Sequence, residues 1–157
     1  MTRFLSAALL ICAVVSAQSK LTPLNDGTLP KIVASHKGQV VLVDFWATYC
    51  VPCRAEMPQL VKMQEKLASR GFILVTVSAD EPNKEMAAFK VLMENSVAAP
   101  FYLKKVADDD KFYTTVDPKW SGEMPAMFIY DRTGKRVKSF LGETPIKDIE
   151  SAVVKAL

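Results

Sequence analysis

The sequence predicts a single α/β domain, and three observations carry that reading. Gln39 to Ala47 (QVVLVDFWA) and Phe72 to Ser78 (FILVTVS) are near-continuous apolar, β-branched or aromatic runs, the pattern of strands buried on both faces. Between them, Val51 to Gly71 sets Met57, Leu60, Val61, Met63 and Leu67 close to a 3.6-residue period and ends on glycine, as an amphipathic helix with its stop signal does. At 157 residues, 50% hydrophobic and 24% charged, the chain can bury one core. Its 20 Lys and Arg against 17 acidic residues leave a charge of +3 with no block of one sign, so nucleic acid is not an expected partner.

The elements follow in order. Arg3, an apolar stretch from Phe4 to Val15 and the small residues Ser16-Ala17 form the layout of a secretory signal peptide over residues 1–17. The apolar run breaks at Gln18-Ser19-Lys20, short of the about 20 residues that a membrane span requires. The mature chain is therefore expected to be exported, periplasmic or otherwise extracytoplasmic, with no membrane span. Cys12 lies inside this segment but follows Leu10-Ile11 rather than the small residue that a lipoprotein processing site wants. Residues 18–37 read as a turn-rich leader with weak internal structure, carrying Pro23, Asn25-Asp26-Gly27, Pro30 and a short helix from Leu29 to Ser35. His36, beside a turn, reads as a solvated loop residue without a role.

The domain proper is expected over 38–157. Pro52 suits the first turn of the helix that starts at Val51, and Pro58 is expected to kink it. Glu85 to Asn95 has helical spacing at Met86, Phe89, Leu92 and Met93, and Phe101 to Leu103 fits a short strand. Asp108-Asp109-Asp110 ahead of Phe112-Tyr113 marks a helix N-terminus, where acids suit the dipole, rather than a calcium site. Phe128 to Tyr130 and Arg136 to Leu141 flank a Gly-containing hairpin turn, and Thr144-Pro145 opens a last helix with Ile146, Ile149, Val153 and Leu157 on one face.

Without the signal segment the chain keeps two cysteines, Cys50 and Cys53, separated by Val51-Pro52. A bridge across two residues closes too small a loop to serve as a staple. Structural zinc takes four ligands, and neither a second cysteine pair nor a histidine pair exists. Redox chemistry is the reading left. Cys50 sits where a helix begins, so unpaired N–H groups and the dipole favour its thiolate. Cys53, one turn on and more buried, can attack the mixed disulfide that Cys50 forms with a partner. Asp44 is an acid inside an apolar strand, which makes it a candidate for proton transfer.

The run from Asp44 to Cys53 (DFWATYCVPC), its continuation Arg54-Ala55-Glu56-Met57-Pro58 and the later Gly122 to Asp131 (GEMPAMFIYD) resemble the active-site segments of the extracytoplasmic TlpA/ResA-type thiol-disulfide oxidoreductases. The resemblance implies a thioredoxin fold, a central mixed sheet flanked by helices, with the family's helix-strand insert falling between Glu81 and Val106. It makes Cys50 the attacking and Cys53 the resolving thiol, Asp44 the buried acid and Pro125 a cis-proline facing the cysteines. A substrate-facing surface is implied at Trp46, Tyr49, Pro52, Met124 and Pro125, and Glu81, in an acidic pair with Asp80 after the second strand, is a candidate proton relay. The implied partners are thiols and disulfides of other exported proteins and an upstream electron donor. A monomer is expected, with no metal and no cofactor beyond the Cys50–Cys53 disulfide. Tyr49 replaces the family's usual tryptophan and Val-Pro the Gly-Pro of thioredoxins, which leaves the direction of electron flow open. The substrate is equally open, with cytochrome c maturation one candidate setting. Two other functions fit less well: a thiol peroxidase, which needs only one cysteine, and a copper-binding assembly chaperone, which needs a histidine beside the cysteines.

Overall fold

The computed structural model describes residues 21–157; the signal segment 1–17, Cys12 and the first residues of the leader lie outside the described residues. Its centre is β2 (Val40–Trp46), a strand on which every residue is buried. β2 pairs in parallel with β3 (Phe72–Ser78) along its whole length and antiparallel with β5 (Ala126–Tyr130) on its other side. With β1 (Thr22–Leu24), β4 (Tyr102–Lys104) and β6 (Arg136–Leu141) the mixed sheet has the order β1-β4-β3-β2-β5-β6.

Alternation along β2 separates two cores. Val41, Val43 and Phe45 face α1 (Thr28–Ser35) and α4 (Asp109–Val116), where Phe45, Phe112, Tyr113, Trp120 and Phe128 pack as an aromatic cluster. The Trp120 ring lies 4.7 Å from Phe45 and 4.5 Å from Tyr113, and its Nε1 donates to the Glu123 carbonyl at 2.9 Å. Gly122 lets the chain pass this cluster: its φ is +99°, and a Cβ there would stand 2.6 Å from the Tyr113 ring. Val40 and Leu42 face the other way, under α2 (Val51–Leu67) and α5 (Ile146–Ala156), against Leu60, Met63, Ile149 and Val153. Trp46 is on this side too, with Met57 of α2 and with Ala88 and Leu92 of α3 (Glu85–Glu94).

Most expected elements appear within a residue or two of their predicted bounds. Asp108 caps α4, accepting from the Lys111 N–H at 3.0 Å. α2 continues through Pro58 without interruption, although proline cannot donate to the Arg54 carbonyl one turn back.

The segment expected to be a loosely organised leader behaves differently. β1 pairs in parallel with β4, and α1 buries Leu29, Ile32 and Val33 in the aromatic core. A three-residue strand has no periodicity to read, and Pro23 at its centre argued against a strand. Its place at the sheet edge is where proline is tolerated. Ile32→Ala should therefore cost about 2–5 kcal/mol, measured by urea denaturation of the oxidised protein, whereas a side chain in a loose leader would change stability by less than about 0.5 kcal/mol.

Candidate active site

The end of β2 and the start of α2 are joined by a turn that long-range contacts hold. The Cys50 N–H donates to the Ala47 carbonyl at 3.0 Å. Thr48 is held from β3's side: its N–H donates to Asp80 Oδ2 at 2.9 Å and its hydroxyl to Asp80 Oδ1 at 2.6 Å. The Ser78 hydroxyl also donates to Asp80 Oδ2, at 2.8 Å. Asp80 is buried, and its carboxylate accepts from all of these donors. It fixes the loop that delivers Cys50. Glu81, expected as a relay, stands exposed at the head of the turn Pro82–Lys84 and takes no part in this network.

Cys50 occupies the N-cap of α2, and the Cys53 N–H donates to its Sγ at 3.3 Å. The two cysteines form a disulfide with a Cα–Cα distance of 5.3 Å. Their access differs: Cys50 is 7% exposed and Cys53 1%. Tyr49 and Val51, on either side of Cys50, are among the most exposed large side chains of the described residues. Met124 packs against the cluster that holds both cysteines. The Met124–Pro125 bond is cis. Ala126 registers with Phe45, which brings Pro125 to the same end of the sheet as the cysteines. Trp46, expected on the substrate-facing surface, is fully buried. It shares the α2-facing side of β2 with Asp44, so it packs beneath the cysteines and not beside a docked partner.

Asp44 lies on that side, 1% exposed, and its Oδ1 has no hydrogen-bond partner among the described residues. Burial, and secondarily the charge of Glu56, hold its pKa well above the usual carboxyl value. Glu56, three residues after Cys53 and so on the same face of α2, is also buried, with Oε1 unpartnered. Burial first and Glu143 second push its pKa up to about 7. Glu143 sits on the loop after β6, where the Gly142 N–H donates to the Pro125 carbonyl at 2.8 Å. A groove of about 540 Å³ runs here, lined by Val51, Pro52, Glu56, Gln59, Glu143 and Pro145. Sequence reasoning passed over Glu56 as a relay, although the Cys-x-x-Cys-x-x-Glu spacing, with the inward Met57 and Leu60 beside it, could have found it. No group of three or more His, Cys, Asp or Glu residues that could hold a metal occurs among the described residues.

A mixed sheet whose central strand runs into a Cys-x-x-Cys disulfide at the start of a flanking helix defines a thioredoxin-fold protein. The chain belongs to the AhpC/TSA family, which residues 20–138 match. It is 29% identical over 119 residues to the thiol-disulfide oxidoreductase ResA of Bacillus thuringiensis (strain Al Hakam), covering 76% of this chain and 64% of that protein. It thus spans just under two thirds of the length of the curated relatives it matches. Among solved structures it resembles a thiol:disulfide interchange protein of the thioredoxin family from Chlorobium tepidum TLS, with a TM-score of 0.65, 26% identity and 78% and 83% of the two chains covered. It also resembles the thioredoxin domain of a thiol-disulfide oxidoreductase from Bacteroides vulgatus, with a TM-score of 0.61, 28% identity and 78% and 81% covered. The likeness first read from the segments 44–53 and 122–131 is borne out.

The raised carboxyl of Glu56 has a consequence for stability. Between its usual 4.5 and about 7 the folded chain holds a proton that the unfolded chain has lost. Stability is therefore fullest below the usual carboxyl value and declines as pH rises through about 7. Asp44 acts in the same direction. Glu56→Gln should flatten the decline between about pH 5 and pH 7 in thermal unfolding of the oxidised protein; an unchanged slope would assign that decline to other groups.

Proposed function

We propose that the chain is an exported thiol-disulfide oxidoreductase that reduces disulfides of other extracytoplasmic proteins by cycling Cys50 and Cys53 between dithiol and disulfide. The observation that carries this reading is the asymmetry of the pair: Cys50 at the helix cap with an N–H aimed at its sulfur, Cys53 shielded behind it, with a buried acid on the side of β2 that α2 covers.

In the reduced protein the Cys50 thiolate attacks one sulfur of a substrate disulfide, forming a mixed disulfide and releasing the other sulfur as thiolate. Asp44 takes the proton of Cys53, whose sulfur then attacks Cys50 Sγ. The Cys50–Cys53 bond forms, the second substrate thiolate leaves, and two electrons have passed to the substrate. Glu56 accepts the proton from Asp44 and returns it to solvent through the groove beside Pro52 and Glu143. An upstream dithiol donor reverses the internal bond. Tyr49, Pro52, Met124 and Pro125 form the surface around Cys50 that meets the partner. Reduction of apocytochrome cysteines during cytochrome c maturation is one setting for this chemistry. Export rests on the signal-like layout of residues 1–17.

The paired cysteines favour disulfide exchange over a peroxidase centred on one thiol. His36 precedes β2 and Cys50 follows it, so about 20 Å of strand separates them, which disfavours a copper site built from both.

Two measurements test this. Cys53→Ala expressed in the native host should accumulate mixed disulfides through Cys50 that dithiothreitol releases, while Cys50→Ala should accumulate none; peroxide consumption by the native dithiol without such adducts would replace the reading with the peroxidase one. Asp44→Asn should raise stability at neutral pH by removing a buried ionisable group, yet slow disulfide exchange about ten- to a hundred-fold. An unchanged rate and pH dependence would make Asp44 structural.

A further inference from the structure

β2 and β3 stay in parallel register from Val40 opposite Phe72 to Trp46 opposite Ser78, and this register sets Asp44 directly opposite Thr76. Registered neighbours project to the same side of a sheet. The flanking residues show which side: Val75 and Val77 join the core under α1 and α4, while Phe72 packs under α2 and α5. Thr76 therefore shares with Asp44 the side that α2 covers. Thr76 is 2% exposed and Asp44 1%, and neither Thr76 Oγ1 nor Asp44 Oδ1 has a hydrogen-bond partner among the described residues. A hydroxyl and a carboxyl one strand spacing apart, about 4.8 Å, are complementary as donor and acceptor. Leaving both unpaired in a dry interior would cost free energy twice. Valine, as at positions 75 and 77, would meet the packing and strand preferences of this site equally well, so the hydroxyl needs a polar neighbour to be useful.

We infer that Thr76 is a positioning residue for Asp44: its hydroxyl donates to the Asp44 carboxylate through one bridging water and holds it on the side that α2 covers. This rests on the role proposed for Asp44 in the exchange cycle. The hydroxyl opposes the groups that favour the protonated acid. Glu56 faces Asp44 from α2, with Glu143 behind it on the loop after β6, and Cys53 adds a titratable thiol to α2 in the reduced protein. The neighbours of Asp44 on β3 and β5, Thr76 and Met127, carry no charge. When Asp44 takes up the Cys53 proton, the neutral carboxyl becomes a poorer acceptor and the Thr76 bond weakens. When it releases the proton towards Glu56 the bond strengthens again, so Thr76 favours return of the acid to its basic form.

The test is a titration of the Asp44 carboxyl carbon by NMR in the oxidised protein and in Thr76→Val, Thr76→Ala and Thr76→Ser. Valine preserves shape and strand preference, and alanine gives a second hydroxyl-free side chain. Both should raise the Asp44 midpoint by about one pH unit, the size of a hydrogen bond to a charged group, and serine should restore it. Midpoints unchanged in both hydroxyl-free variants, or a failure of serine to restore a shifted one, would overturn the inference. The titration does not depend on turnover. If the midpoint moves while exchange rate and pH profile stay as in the unmodified protein, the hydrogen bond stands and the proton-transfer role of Asp44 falls. If both move, Thr76→Val should add no further slowing in an Asp44→Asn background.

Discussion

The position of β2 between β3 and β5 is the constraint from which the site follows. A strand paired along both edges and covered on both faces cannot shift register without moving every one of its side chains to the wrong core. Its last residues therefore emerge at a fixed depth and direction. Cys50 is carried on that end, and α2 starts from it at once, so the helix N-terminus and the sulfur it stabilises are placed by the same strand. Pro125 reaches the same place because β5 begins opposite Phe45. The pairing of β2 sets this position, and the contacts of Asp80 fix the short loop between β2 and α2.

Two aspartates near this point show how differently a buried carboxyl can be treated. Asp80 is buried but accepts from the Thr48 amide and hydroxyl and from Ser78, which replaces its lost hydration and makes it an anchor for the loop. Asp44 is equally buried with one oxygen unpartnered and a second acid close by. Burial strips its charged form of hydration and the second acid adds to that cost, so both favour the protonated form. The proposed path from Asp44 through Glu56 to the groove is a gradient of solvation, from an enclosed acid to one at the rim.

The legible parts of this arrangement were those with a local signature. Continuous apolar runs named β2 and β3, the 3.6-residue period named α2, and the cysteine spacing named the site. Asp44 stood out because nothing else in its strand is charged. What could not be read depends on contacts between distant residues. Asp80 carries no local signal of its burial because its three donors come from Thr48 and Ser78, and Thr48 is 32 positions away. Trp46 was assigned to the surface because it adjoins the cysteine motif, whereas its direction is set by strand alternation that continues from Asp44. Glu56 carried a local signal in its spacing from Cys53, but the pressure that Glu143 adds arises only once the β6 loop is bonded to Pro125. β1 was invisible because a strand of three residues around a proline is defined by its partner and not by its own sequence.

Burial also orders the events of the proposed cycle at the disulfide. A thiolate attacks along the axis of the bond it will form, so a sulfur is reactive towards a partner only if that line of approach is open. Cys50 has the little exposure there is, flanked by the exposed side chains of Tyr49 and Val51, while Cys53 faces the core formed by Trp46 and Met57. In that cycle a partner disulfide meets the more exposed first sulfur, and the buried second sulfur meets the first. The proposed sequence of attack and resolution then follows access before any difference in thiol acidity acts. Acidity acts on the rate of each step instead: the helix N-terminus lowers the cost of the Cys50 thiolate, and in the proposed cycle Asp44 is the base for Cys53, which is shut away from water.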